Sequence, residues 1–327
     1  MDVREGTITR RRFLRGVGTA AAAVSLVGGL PARAANTPPA RAGALRFGVQ
    51  PRPEHVTWND LARAFREADE LGLDSAFTFD HFMPIDGRPG PCLEGWTSLA
   101  ALAAKTERIR VGVLVTGNPY RNPALLAKMS ATVDHVSNGR LILGMGAGWF
   151  EAEFNAYGFQ FDTAGGRAHR LVEAVEVVKA LWTQDKATYT GKYYQLKDAP
   201  FDPRPVQRPH PPLLIGGMGP KVLQPLAARH ADIWHFFVKG GDPEEIKRVV
   251  TDFDALCQKV GRDPAAVERA TSLRPEDVTG TSPDDARARI RAMADAGVRH
   301  FILSLAPPYD WQLLRTFAKD VVPPLRG

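Results

Sequence analysis

The chain has almost no cysteine. Cys92 and Cys257 are the two it carries in 327 residues, too few and too far apart for a disulfide framework or a CxxC metal site. Two unpaired thiols are expected, with a single bridge left for geometry to decide. The sequence also lacks a HExxH zinc helix, a GxSxG nucleophile elbow, a Walker loop and any His/Asp/Glu cluster at metal spacing. Neither a metal centre nor serine-hydrolase chemistry is expected. No apolar run is comfortable as a membrane span. A basic stripe is missing too. The formal charge is +6, but residues 1–34 hold six arginines against Asp2 and Glu5, a net of +4 that leaves +2 on the remainder. With no aromatics interleaved among basic residues, nucleic acid is not an expected partner. What is present is 44% hydrophobic and 24% charged residues, a globular composition with material for a large core. The length fits one barrel-sized domain.

The first 34 residues read as an address. Thr9-Arg10-Arg11-Arg12-Phe13-Leu14-Arg15 has the twin-arginine pattern. An alanine- and glycine-rich apolar run from Gly16 to Leu30 follows, then Ala32-Arg33-Ala34, a small-x-small cleavage site. Residues 1–34 are read as a twin-arginine signal peptide, 35–44 as a linker and 45–327 as the folded domain. The expected destination is the periplasm, cell wall or medium, with no stable membrane span after cleavage. The route carries proteins that are already folded, which suits an enzyme that takes up its cofactor before export.

From Leu45 the chain repeats one phrase, a short apolar run followed by an amphipathic helix. The expected strands are Arg46–Gln50, Ser75–Asp80, Ile109–Val115, Leu141–Ala147, Pro212–Gly217, Ala231–Phe237, Val267–Leu273 and His300–Leu305. The expected helices are Trp58–Leu71, Trp96–Thr106, Pro123–Val136, Arg167–Thr183, Pro220–Arg229, Pro243–Val260, Pro283–Ala296 and Asp310–Val321. Asp242-Pro243 and Ser282-Pro283 pair an N-cap with proline at the first helical position. Gly72, Gly261 and Gly297 stand just past helix ends. Eight such phrases predict an α/β fold, a (β/α)8 TIM barrel. A doubly wound open sheet is the alternative, since strand order is invisible in sequence. A long excursion after the fourth strand, Trp149 to Pro211, is read as an insertion with a hairpin at Thr188–Gln195.

In a β/α barrel the chemistry sits at the C-terminal ends of the strands. Strand two ends in Asp80-His81-Phe82. A carboxylate beside an imidazole can orient a ring cofactor and move a proton near neutral pH, although a capping aspartate next to a packed histidine would look the same. Strand three ends in Leu114-Val115-Thr116-Gly117. Strand four ends in Gly144-Met145-Gly146-Ala147-Gly148-Trp149, a GxGxG spacing and not the dinucleotide GxGxxG. Its glycines would let a flat cofactor approach the backbone. Strand five ends in Gly216-Gly217-Met218-Gly219-Pro220-Lys221. Glycines running into a helix N-terminus form a phosphate cradle, with Lys221 in the first turn, or a simple tight turn.

Taken in order, these stretches resemble luciferase-like oxidoreductases dependent on the deazaflavin coenzyme F420, from Leu45 to about Thr271. The resemblance also rests on Glu94-Gly95-Trp96-Thr97, Tyr120-Arg121-Asn122-Pro123, Ser137-Asn138-Gly139-Arg140, Glu153, Gly191-Lys192-Tyr193-Tyr194 and Ala231-Asp232-Ile233-Trp234. It implies a barrel with the cofactor ring over the strand ends, contacted by Asp80, His81, Leu114, Val115, Thr116, Gly146, Ala147 and Gly148. It implies a proton-handling pair in Asp80 and His81, and a non-prolyl cis peptide at Leu114–Val115 under the ring. It places the cofactor phosphate at Gly216, Gly217, Met218 and Gly219. Hydride transfer to or from a small organic substrate, often in a homodimer, is the implied activity. Two positions depart from the pattern. The sugar-phosphate branch carries a catalytic glutamate where this chain has Trp149, which would instead wall an apolar substrate pocket. His235 stands where similar sequences tend to have asparagine. Two other functions stay open: a monooxygenase using flavin mononucleotide (FMN), and an exported cofactor-binding protein without turnover.

Overall fold

The structure, a computed structural model, describes residues 44–279 and 282–326. The expected signal peptide, and the linker up to residue 43, lie outside the described residues. Eight parallel strands form the core: β1 (Arg46–Pro51), β2 (Ser75–Thr78), β3 (Arg110–Val113), β4 (Leu141–Gly146), β5 (Leu213–Gly216), β6 (Ile233–Phe236), β7 (Glu268–Leu273) and β8 (His300–Leu305). β1 pairs with β2 and β8, and β4 meets both β5 and β3. The sheet therefore closes on itself, which settles the barrel against the open sheet.

Local chemistry sets the helix ends. α1 (Trp58–Glu70) opens on a capping box in which Thr57 and Asp60 satisfy each other's backbone N–H groups. Asp242 caps α7 (Pro243–Lys259), and Ser282 with Asp285 caps α8 (Pro283–Asp295). Gly72 and Gly297, at φ 76° and 112°, reverse the chain after α1 and α8. The other helices are α2 (Gly95–Ala104), α3 (Pro123–Val136), α4 (Glu151–Tyr157), α5 (Ala164–Thr183), α6 (Leu223–His230) and α9 (Trp311–Thr316). Three differ from expectation; α5 starts at Ala164, three residues before Arg167, with Thr163 as its cap. α6 starts at Leu223, not Pro220, because the N–H groups of Leu223 and Gln224 both bond the Gly219 carbonyl in a separate turn. Lys221 is therefore in that turn and not in the helix. α9 passes into a π turn at Phe317–Val321.

Helices pack on the outer barrel face through residues such as Phe47, Leu99 and Trp234. Trp234 of β6 stacks on Phe253 of α7 at 4.0 Å. Inside, alternation along the strands produces three layers. The N-terminal layer is polar: Ser75 Oγ lies 2.7 Å from His300 Nε2, and His300 Nδ1 lies 2.8 Å from Glu268. Arg46 reaches the same carboxylate. The middle layer is apolar, made of Phe77, Ile142, Leu214, Ile233, Ala270 and Ile302. The third layer floors the C-terminal opening.

The insertion after β4 holds α4, α5 and an antiparallel hairpin, Lys186–Thr190 with Gln195–Pro200. Glu173 of α5 fixes its turn by accepting from the N–H groups of Lys192, Tyr193 and Tyr194. Cys92 and Cys257 are both unpaired.

Candidate active site

The peptide bond Leu114–Val115 is cis, where the resemblance implies it. Below it, Val111 pairs with Leu141; beyond it, Thr116 pairs with Met145. The strand thus carries one extra residue at this point, a bulge that re-aims the backbone at the barrel mouth. Gln50 Nε2 donates to the Leu114 carbonyl at 2.6 Å and steadies it.

The Val115 side chain explains the glycines around it. A Cβ on Gly146 would stand 2.5 Å from Val115 Cγ2, and one on Gly216 would stand 3.0 Å from Cγ1. The space these glycines leave is filled by Val115, so the floor under a bound ring is an isopropyl group as well as backbone. This refines the expectation that bare glycine backbone would meet the cofactor.

Above the floor lies a cavity of about 360 Å3. It is lined by Asp80, His81, Leu114, Val115, Thr116, Gly146, Ala147, Gly148, Trp149, Gly216 and Gly217, all expected from sequence. Met218 and Gly219 are not among the lining residues. Gln50, Gly117, Tyr120, Leu223, His235 and Ser272 line it as well.

His81 is the best-supported side chain. Its Nδ1 lies 3.1 Å from Glu153 of α4, a fully buried carboxylate. Glu153 also accepts from the N–H groups of Phe82 and Met83, at 2.6 and 3.2 Å, and from the Tyr120 hydroxyl. Burial pushes this carboxyl up, but the bonds from His81, Tyr120 and Phe82 outweigh it and hold it below the usual range. Burial and the bond to Glu153 push the Tyr120 phenol up, so it stays a donor. An ionised acceptor at Nδ1 fixes the proton there and leaves Nε2 for the cavity.

Asp80 is placed differently. Arg121 grips both its oxygens, at 2.5 and 2.8 Å, and Gly117 N–H adds a third bond at 3.0 Å. Burial pushes the Asp80 carboxyl up to about 6, against the pull of Arg121. Arg121 also bonds Glu94, which caps α2 through Trp96 and Thr97. Trp96 Nε1 in turn donates to Thr116. These links give Asp80 a positioning task, tying β2, α2 and the end of β3 together beneath His81.

At the floor's far side His235 Nε2 lies 3.0 Å from Ser272 Oγ. Burial pushes the His235 ring down to about 4, with nearby His300 adding to the effect. The imidazole is therefore neutral at neutral pH.

Sequence reasoning passed over Glu153, Tyr120 and Arg121 as site residues, although all three stood in the stretches that carried the resemblance. Their signal was a place in or beside a buried ion pair or carboxylate, which a sequence does not display.

Residues 40–319 match the luciferase-like monooxygenase family. An F420-dependent glucose-6-phosphate dehydrogenase of Microbacterium testaceum (strain StLB037) is 30% identical over 336 residues, covering 86% of this chain and 98% of that protein. An FMNH(2)-dependent dimethylsulfone monooxygenase of Pseudomonas putida is 36% identical over 168 residues, covering 51% of this chain and 45% of that protein. Among solved structures, an F420-dependent secondary alcohol dehydrogenase in complex with an F420-acetone adduct superposes with a TM-score of 0.75 at 22% identity, over 87% of this chain and 99% of that one. With a family match across most of its length, a closed eight-stranded barrel and the site at its C-terminal mouth, the chain belongs to the luciferase-like monooxygenase family.

Proposed function

We propose that the protein is an oxidoreductase that moves a hydride between coenzyme F420 and a small organic substrate. The observation that carries this reading is the His81–Glu153 pair beside an open cavity floored by Leu114–Val115. The residues present suit such a coenzyme. The cavity floor is apolar, made of Leu114, Val115, Gly146 and Gly216. Next to it the backbone N–H groups of Met218, Gly219, Lys221 and Val222 make no backbone hydrogen bond among the described residues, an arrangement that favours a phosphate. Lys221 is exposed in the same turn. The F420-dependent relatives support the same choice.

A bound deazaflavin supplies a two-electron hydride donor or acceptor and disfavours oxygen activation. The chain's own residues supply the proton. In the oxidising direction the substrate hydroxyl gives its proton to His81 Nε2 while its carbon gives up the hydride; reduction runs the same exchange backwards. Glu153 stabilises the imidazolium that forms. Asp80, clamped by Arg121, keeps the strand end in place.

The Pseudomonas putida relative favours a second reading, a monooxygenase using reduced FMN. A fluorescence titration of the purified protein with F420 and with FMN separates the two. Tight binding of F420 alone supports hydride transfer. Preference for FMN, with oxygen uptake in its reduced form, overturns it.

We also propose export by the twin-arginine route and assembly as a homodimer. The three-part sequence pattern at residues 9–34 supports export, and the family match begins after it, at residue 40. Arg10→Lys with Arg11→Lys should hold the protein in the cytoplasm; unchanged export would refute the signal. Light scattering tests the dimer.

A further inference from the structure

We infer that the substrate end of the cavity takes an uncharged molecule with a flat apolar face, laid against Trp149, which Phe150 backs, with its oxygen at His81. The inference rests on the hydride-transfer reading and names the substrate class for that site.

The ring pair is the first observation. Trp149 and Phe150 stack at 5.2 Å with 28° between planes. Each meets the His81 ring edge-on, at 5.6 and 5.8 Å. Trp149 is 61% exposed, a large aromatic surface left uncovered beside the imidazole that handles the proton. Aromatic faces of this kind prefer stacked or edge-on partners over water.

The pair is also held in place. Gly148 has φ 78°, and a Cβ there would stand 2.8 Å from the Phe154 ring. The turn that presents Trp149 is thus packed from behind by α4. Arg167 Nε donates to the Gly148 carbonyl at 3.1 Å and fixes the same turn. A preorganised surface loses little ordering entropy on binding.

Charge is the third observation. No lysine or arginine is among the cavity's lining residues. Arg121, beside Asp80, is committed to Asp80 and Glu94. Arg167 lies over Phe161 at 3.9 Å and bonds backbone carbonyls. The carboxylate behind His81 is ionised. An anionic substrate group here would be desolvated with no counter-charge and with Glu153 nearby, a costly arrangement. A neutral carbonyl or hydroxyl needs only the hydrogen bond from or to Nε2.

The test uses acetophenone, butanone and glucose 6-phosphate as probes, titrated calorimetrically into the full protein with and without saturating F420. Acetophenone should bind more tightly than butanone, and with F420 in place glucose 6-phosphate should not bind at millimolar concentration. Trp149→Ala should weaken acetophenone about 2- to 10-fold and weaken butanone less; Trp149→Phe should restore most of the loss. The side chain is exposed, so melting curves should coincide and exclude a folding effect. Tightest binding by glucose 6-phosphate to the F420-bound protein, or an acetophenone affinity indifferent to Trp149→Ala, would overturn the inference. Failure of F420 to bind would instead overturn the hydride-transfer reading, and the acetophenone comparison without coenzyme would still judge the ring pair.

Discussion

The two ends of the barrel use the same residue types for opposite purposes. At the N-terminal end Ser75, His300 and Glu268 form a chain of hydrogen bonds at 2.7 and 2.8 Å, with Arg46 on the carboxylate. A serine, a histidine and an acid in line have the geometry of an activated nucleophile. Yet Ser75 and His300 are each 1% exposed, and a Cβ on Gly48 would stand 2.1 Å from the serine oxygen. No substrate atom fits there. At the C-terminal end His81 is anchored by Glu153 and His235 by Ser272, but both rings also line an open cavity. Hydrogen-bond geometry alone does not make a site. Access decides whether an anchored imidazole stabilises the fold or moves a proton.

The sharpest way to break this comparison is to remove one histidine from each end. His81→Ala should lower turnover by about 10²–10⁴-fold; Glu153 keeps its bonds from Phe82, Met83 and Tyr120, so the melting temperature should fall less than with the opposite-end variant. His300→Ala should do the reverse. It strands the buried Ser75 hydroxyl and the Glu268 carboxylate at a cost of about 3–5 kcal/mol, read by denaturant unfolding, while activity per folded molecule holds. Turnover unaffected by His81→Ala would revive the carrier protein without catalysis.

Next in size is the group behind His81. Glu153→Gln should reduce turnover about 10²-fold or more, by removing the charge that selects the tautomer and stabilises the imidazolium. A positioning role also predicts a changed pH–rate profile and partial recovery with Glu153→Asp. Equal loss in both variants with an unchanged profile would reduce Glu153 to packing.

Smaller again is the floor. Gly216→Ala forces its Cβ against Val115, at a cost of about 1–3 kcal/mol, and should weaken coenzyme binding as Val115 is pushed upward. Thermal melts and a fluorescence titration read both effects.

The smallest effect is a pH dependence. His235 is held at about 4 in the fold, against a usual value of 6.5. Between those values the unfolded chain takes up a proton that the folded chain does not. Stability should therefore fall as pH drops from 6.5 to 4 and be level above 6.5. The ring faces cavity solvent, which limits the loss to about 1–2 kcal/mol. His235→Asn should flatten this part of the profile, and an unchanged slope would reassign it.

Much of this architecture was legible in the sequence. Strand ends differ from expectation by one or two residues in most cases, because β-branched runs bounded by glycine and capped helices are local signals. α6 was misplaced because Pro220 imitates a first helical residue while the Gly219 carbonyl takes the N–H groups of Leu223 and Gln224. At the site, Asp80, His81 and Val115 were visible as strand-end residues. Their partners were not. Glu153 sits 72 residues from His81 and Arg121 sits 41 residues from Asp80, and nothing in local periodicity distinguishes a buried, bonded carboxylate from the exposed Glu151 beside it. The reason for the glycines was equally hidden, since it depends on where Val115 points.

The most direct test is nitrogen NMR of the protein labelled at its histidines, recorded before and after addition of F420. His81 should carry its proton on Nδ1 and, like His235, shift when the coenzyme enters, while His300 stays where it was. Movement of His300 with a silent His81 would place the ligand at the wrong end of the barrel and contradict the assignment.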